Sequence, residues 1–251
     1  MKSSFLTRWK GLGAFAATET RVQFHEYLSI ASSILVQVIF IFFMWLLAPR
    51  SLLPFALVGS TVFSAFVIGE RILDEAAYIR IDHKLNELYH ASPMSPESYF
   101  LGMGLGVLAA YMPPMVFLVG MANWVHPFTV SAALVLLGAL IGVWAFAASL
   151  GYALSTLFKD MRAIWPYATL IFNLFGVLPP VFYPLYIFPA ALQPVALVMP
   201  PSAAAALVMH TLNLLSLSTG EVVLAALSII VETLAIFLFT VYWARRFSRE
   251  R

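Results

Sequence analysis

The chain has 251 residues, 62% of them hydrophobic and 10% charged, with a mean hydropathy of +0.91 and a net charge of +2. Soluble domains carry about 25% charged residues, so this composition describes a polytopic membrane protein. With no cysteine there is no disulfide framework, no thiolate metal site and no cysteine nucleophile.

Residues 1–27 open the chain. Arg8 and Lys10 interrupt the apolar run, which excludes a cleavable signal. Phe5, Trp9, Leu12 and Ala16 fall near one helical face among basic and acidic residues. That mixture predicts an interfacial helix lying flat, with Trp9 and Phe15 at headgroup level.

Residues 28–48 form the first predicted span, about 31 Å long and enough to cross the hydrocarbon. Ser29, Ser33 and Gln37 make a polar stripe along it. Pro49-Arg50 turns the chain into a second span at 52–69.

The segment 70–98 is as polar as its surroundings are oily. Each of its charges would cost about 2.5–3.5 kcal/mol at mid-membrane, so it belongs in water. Ile81, Leu85, Leu88 and Tyr89 recur on one helical face. They predict a short amphipathic helix whose apolar edge packs on its own chain or docks a partner.

Ser95-Pro96 reads as an N-cap with proline in the first turn, opening a third span at 99–121. Gly102, Gly106 and Ala110 give it a small-residue face for close helix contact. Pro113-Pro114 predicts a late kink or break. The fourth span is 128–158, with Gly138 and Gly142 as a second close-contact pair. The fifth is 163–181, closed by Pro179-Pro180.

Residues 182–210 are apolar but carry Pro184, Pro189, Pro194, Pro200 and Pro201. No single helix tolerates that spacing, so two short re-entrant helices are expected, entering and leaving the outer leaflet. The sixth span is 222–242.

Under this six-span scheme Lys and Arg sort sharply. The N-terminal segment holds four, the loop after span two three, the loop after span four two, and the tail four, so 13 of the 14 lie on one side and only Arg50 on the other. The positive-inside rule places both termini and the 70–98 segment in the cytoplasm of a plasma-membrane protein.

Chemistry-bearing motifs are few. No phosphate-cradling glycine loop is present, so the chain binds no ATP itself, and His25-Glu26 lacks the second histidine of a zinc helix. No nucleophile–base pair stands out, and no catalytic or metal residue is assigned. Glu70, Asp74 and Glu75 cluster at helical spacing; with Arg71 beside them they read as a solvated juxtamembrane face.

Three polar groups fall near mid-depth: Gln37, Asn173 and Glu232. Glu232 is the most costly there, and reads either as a pathway residue or as a strut tying span six to a neighbour such as Gln37. Aromatics crowd the outer end of span five and the proline-broken piece. Most are belt residues; Phe175 and Tyr183 join Gln37, Asn173 and Glu232 as candidates for a substrate path.

Taken together, the chain resembles the six-span permease subunits of type-2 ABC transporters. Residues 5–27 are similar to that family's interfacial helix. KLNELYHASPMSPESYFLG (84–102) resembles its cytoplasmic coupling segment through Glu87, Leu88, Pro93, Ser95 and Gly102. SLGYALSTLFKDMRA (149–163) resembles its turn between spans four and five, and FYPLYIFPAALQPVALVMPP (182–201) its extracellular re-entrant helices, with Pro184, Pro189 and Pro200 in the usual places. The chain departs from the family at Lys84 and Asn86, where glycine and arginine are common, and at Ala203–Ala206, where an arginine is.

The resemblance implies an all-α membrane protein with six spans, an N-terminal interfacial helix, a coupling helix between spans two and three, and re-entrant helices between spans five and six. It implies a permease that moves an amphiphilic or hydrophobic substrate, drug-like, lipid or lipid-linked glycan, out of the cytoplasm. Two permease copies, identical or not, would pair, and two ABC ATPase subunits would burn ATP with magnesium and push on Asp82, Leu85, Glu87, Leu88, Tyr89, His90 and Pro93. No cofactor would bind this chain directly, and no nucleic acid is expected as a partner. The rival readings are an ion-coupled carrier using Glu232 and an integral membrane lipid-modifying enzyme.

Overall fold

The computed structural model describes residues 11–81 and 94–247. Among them the regular structure is helical. The helices are α1 (Leu12–His25), α2 (Tyr27–Leu47), α3 (Leu53–Ile81), α4 (Pro96–Val125), α5 (Val130–Ser155), α6 (Met161–Gly176), α7 (Gln193–Val198), α8 (Pro200–Thr211) and α9 (Thr219–Phe247). Five of them, α2, α3, α4, α5 and α9, are long and apolar enough to cross a bilayer, and the pair 190–198 and 200–211 makes a sixth if counted as one bent span. The chain is a multi-pass membrane protein.

Local chemistry starts these helices, at Ser95 where the sequence predicts a cap and at three further caps that it did not single out. Ser95 Oγ accepts from the Ser98 N–H at 3.2 Å to cap α4, and Thr129 Oγ1 accepts from Ala132 N–H at 3.2 Å to cap α5. Asp160 accepts from Arg162 N–H at 3.0 Å at the head of α6. Ser218 and Glu221 exchange bonds at the head of α9, a capping box that satisfies two orphan donors.

Helix α3 is the hub. Of its apolar window 72% is buried, against 18% for α2 and 11% for α9. Val62, Ala65, Phe66, Ile68, Ile72, Leu73 and Ala77 are wholly enclosed. Close approach explains its glycines: a methyl group on Gly151 of α5 would overlap the Gly69 carbonyl, and one on Gly59 would overlap that of Val181. Helices α2 and α9 show most of their apolar surface outward, as lipid-facing helices do.

Several expectations are corrected. The polar stretch after residue 69 does not begin with a loop: α3 continues unbroken to Ile81, because Ile72, Leu73, Ala76 and Ala77 keep its apolar stripe in the core while its charges ring the rest. Pro113 and Pro114 lie inside α4, which runs on to Val125. A break there would leave a run of backbone groups unsatisfied in hydrocarbon, whereas continuing the helix forgoes only the bonds the two prolines cannot make. The predicted fifth span, 163–181, is a helix of 16 residues, about 24 Å and short of the roughly 30 Å core. It ends at Gly176, ahead of Pro179-Pro180, and the chain continues irregularly.

The first helix, α1, runs beside the opening turns of α4, with Phe15 over Gly102 and Glu19 over Gly106. Phe15 stacks on Tyr99 at 5.0 Å. The small-residue face of α4 thus meets α1. Of the second glycine pair, Gly142 touches Ile229 and its carbonyl accepts from Thr233 Oγ1 at 3.2 Å, while Gly138 faces open space. The expected pair of short helices between 182 and 210 is present, bent by 101° at Met199-Pro200.

Candidate functional site

The expected contact residues Asp82, Leu85, Glu87, Leu88, Tyr89, His90 and Pro93 lie outside the described residues. What leads into them is described. At the end of α3, Arg80 donates through Nη2 to the carbonyls of Ser155 and Phe158, the latter at 2.5 Å, and through Nη1 to that of Thr156 at 3.3 Å. These carbonyls terminate α5 and begin the turn to α6, where unpaired acceptors and the negative helix end gather. Trp243 of α9 donates to Thr156 Oγ1 at 2.9 Å in the same place. Three helices are thereby tied together one residue before α3 ends.

The five path candidates do not converge. Gln37 is buried, with its Oε1 lacking any hydrogen-bond partner. Asn173 is exposed on α6, and Phe175 is half-buried against the core. Tyr183 donates to the Leu178 carbonyl at 3.0 Å, a local bond that closes the irregular segment. Glu232 is half-buried on α9, one residue before the Thr233 bond to α5 and four after Ser228, whose hydroxyl donates to the Leu197 carbonyl at 3.0 Å. None of the four cavities described below is lined by any of the five.

Two cavities are apolar. One of about 850 Å³ lies between α2, α3 and α4 near Trp45 and Trp124; another of about 410 Å³ lies between α4 and α5. The other two are polar, about 230 and 210 Å³, and share Arg71, Asp74 and Trp165. They form one cleft between α1, α3 and α6 at the basic end of the molecule.

This cleft collects the acidic cluster that reads as solvated in the sequence. Gln23 of α1 donates through Nε2 to Glu19 Oε1 and to Glu75 Oε2, both at 3.0 Å, so one amide bridges two carboxylates. Glu70 accepts from Thr169 Oγ1 of α6 at 3.0 Å. The acids therefore tie α3 to both neighbours. Glu19 is only 3% exposed. Burial pushes its carboxyl up from the ordinary 4.5, the Gln23 bond opposes this, and the Glu26 charge adds to it.

Sequence reasoning missed Glu19, Gln23 and Thr169. Glu19 and Gln23 stand four apart on a helix, a pairing signal, but their meeting with Glu75 depends on where α1 docks. Neither a family model nor a curated protein matches this chain.

Proposed function

We propose that this chain is the permease subunit of an ATP-driven exporter of amphiphilic or hydrophobic molecules, worked by a separate ATPase. In this reading both termini and the basic end face the cytoplasm, the protein sits in the plasma membrane, and two copies pair above two ATPase subunits that bind ATP and magnesium. The observation that carries it is the clamped end of α3. A device that receives a push from outside the membrane needs a rigid element leading inward, and α3 is that element: it is the buried hub, it runs unbroken from Leu53 to Ile81, and Arg80 fastens its end to the α5–α6 turn. The segment carrying Leu85, Glu87, Leu88 and Tyr89 begins immediately beyond it.

The test is docking. Burying a leucine is worth about 1.5–3 kcal/mol, so Leu88→Asp should weaken ATPase co-purification at least tenfold, and Glu87→Arg should weaken it where the carboxylate meets a basic partner. Substrate-stimulated ATP hydrolysis should fall in parallel, with thermal stability in detergent unchanged. Variants that melt early yet keep the ATPase would show that this edge packs on its own chain, and the proposal would fail.

A further inference from the structure

The larger apolar cavity, about 850 Å³, lies at the end of the bundle away from the basic one, where α2 ends, α3 begins and α4 ends. That volume is within the roughly 300–1,000 Å³ of ligand sites. Ile41 of α2 and Leu57 of α3 are buried and form its floor. Trp45 and Trp124, 53% and 88% exposed, stand at its rim. Every lining side chain is apolar apart from the two indole N–H groups. Water needs several polar partners to settle in a cavity, so this one suits hydrocarbon. The wall on α4 is left open at Gly120, where an added methyl group would meet nothing within 4 Å.

Its length argues for an acyl chain. The lining stretch of α2, residues 38–45, rises about 12 Å. That is less than half of a roughly 30 Å hydrocarbon core, the depth that a chain from one leaflet reaches. A helix from a second copy would lie along the whole of α2.

Charge selects the headgroup. Arg50 stands between Trp45 and the lining residue Leu53, at the start of the turn Arg50–Leu52. It is exposed, and its side chain makes no hydrogen bond or ion pair with another described residue. Among the described residues it is the one cation at this end; the other lysines and arginines gather at the opposite end. Tryptophans mark the headgroup level, so the Arg50 guanidinium beside them meets the phosphate layer.

We propose that this cavity holds an acyl chain of a phospholipid with a net negative headgroup, the chain between α2 and α4 and the phosphate on Arg50. The lipid supplies packing to α2, a helix with only 18% of its apolar window buried by the protein. This inference does not rest on the exporter reading.

The experiment places the full chain in phosphatidylcholine nanodiscs with a trace of phosphatidylglycerol carrying a diazirine near the end of one acyl chain. Phosphatidylcholine with the same photoactivatable chain is the comparison, and labelled residues are mapped by peptide mass spectrometry. The ratio of phosphatidylglycerol to phosphatidylcholine label at Ile41, Leu57 and Gly120 should exceed the ratio at the exposed Leu227 and Leu234 of α9. The expected excess is about fivefold, the preference that one arginine gives an anionic lipid. Arg50→Gln should bring the ratio down to the α9 value, and Arg50→Lys should keep most of it. Gly120→Phe, which puts a ring into the open space, should cut label from both lipids at Ile41 and Leu57 severalfold while melting as wild type does. Equal ratios in wild type, an unchanged ratio in Arg50→Gln, or undiminished floor label in Gly120→Phe would overturn the proposal. Absence of cavity label, with Trp124→Cys cross-linking between copies, would overturn it too and give the recess to a second copy. If Gly120→Phe melts early, the two Arg50 variants decide.

Discussion

Removing the Arg80 guanidinium tests how the inner end of the bundle is held. Three of its acceptors among the described residues, the carbonyls of Ser155, Thr156 and Phe158, have no helical donors of their own at the end of α5. A hydrogen bond to a charged group contributes about 1.5–3 kcal/mol. Three bonds from one half-buried side chain do not add, because the freed carbonyls regain water and the same charge serves all three. A net loss of about 3 kcal/mol for Arg80→Ala follows, or about 6–12 °C at roughly 2–4 °C per kcal/mol for a chain of this size. Arg80→Lys keeps the charge but not the planar fork, and should lose about half as much. Arg162→Ala is the control, since Arg162 is exposed at the head of α6, and it should melt within about 1 °C of wild type. The assay is thermal unfolding in mild detergent followed by intrinsic fluorescence. An Arg80→Ala protein that melts within about 2 °C of wild type would refute the reasoning. A lysine variant as weak as the alanine one would show that the fork, not the charge, supplies the whole effect.

The remaining predictions concern orientation and pH. The chain has no native cysteine, so single cysteines at Ser92 and Ser248 should label only from the cytoplasm and one at Thr219 only from outside; outside labelling at Ser92 would reverse the orientation. Glu19 has a raised folded-state pKa, so the folded chain holds that proton more tightly than the unfolded one. Its contribution to stability is fully present below the ordinary value of 4.5 and is lost as pH rises through the raised value. Gln23, Glu26 and Glu75 are the polar and charged groups set against it. Glu19→Gln should therefore gain melting temperature on wild type as pH rises from 4 to 8, and parallel curves would rule out a buried titrating carboxyl there.

Some of this was legible in the residues alone. The long apolar runs and the cap at Ser95 are local features: a helix in hydrocarbon satisfies its own backbone, and a cap needs only a side chain two or three residues away. The break into two short helices was equally readable, because Pro189, Pro194 and Pro200 forbid one straight helix wherever the segment sits.

The misreadings share one cause. Glu70, Asp74 and Glu75 share a polar face in any helix, and only the docking of α1 on one side and α6 on the other turns that face into an enclosed cleft. Glycine in a sequence announces close approach without naming the partner: Gly106 meets α1, Gly69 and Gly151 meet each other, and Gly138 meets nothing. Pro113-Pro114 forecasts a kink or a break from local propensity, and the helix is not broken there, because the backbone must stay paired at that depth. Periodicity and composition decide which segments are helices in oil. Which charges become buried, and against what, is set by pairings between residues such as Gln23 and Glu75, 52 positions apart, and those exist only once the helices have packed.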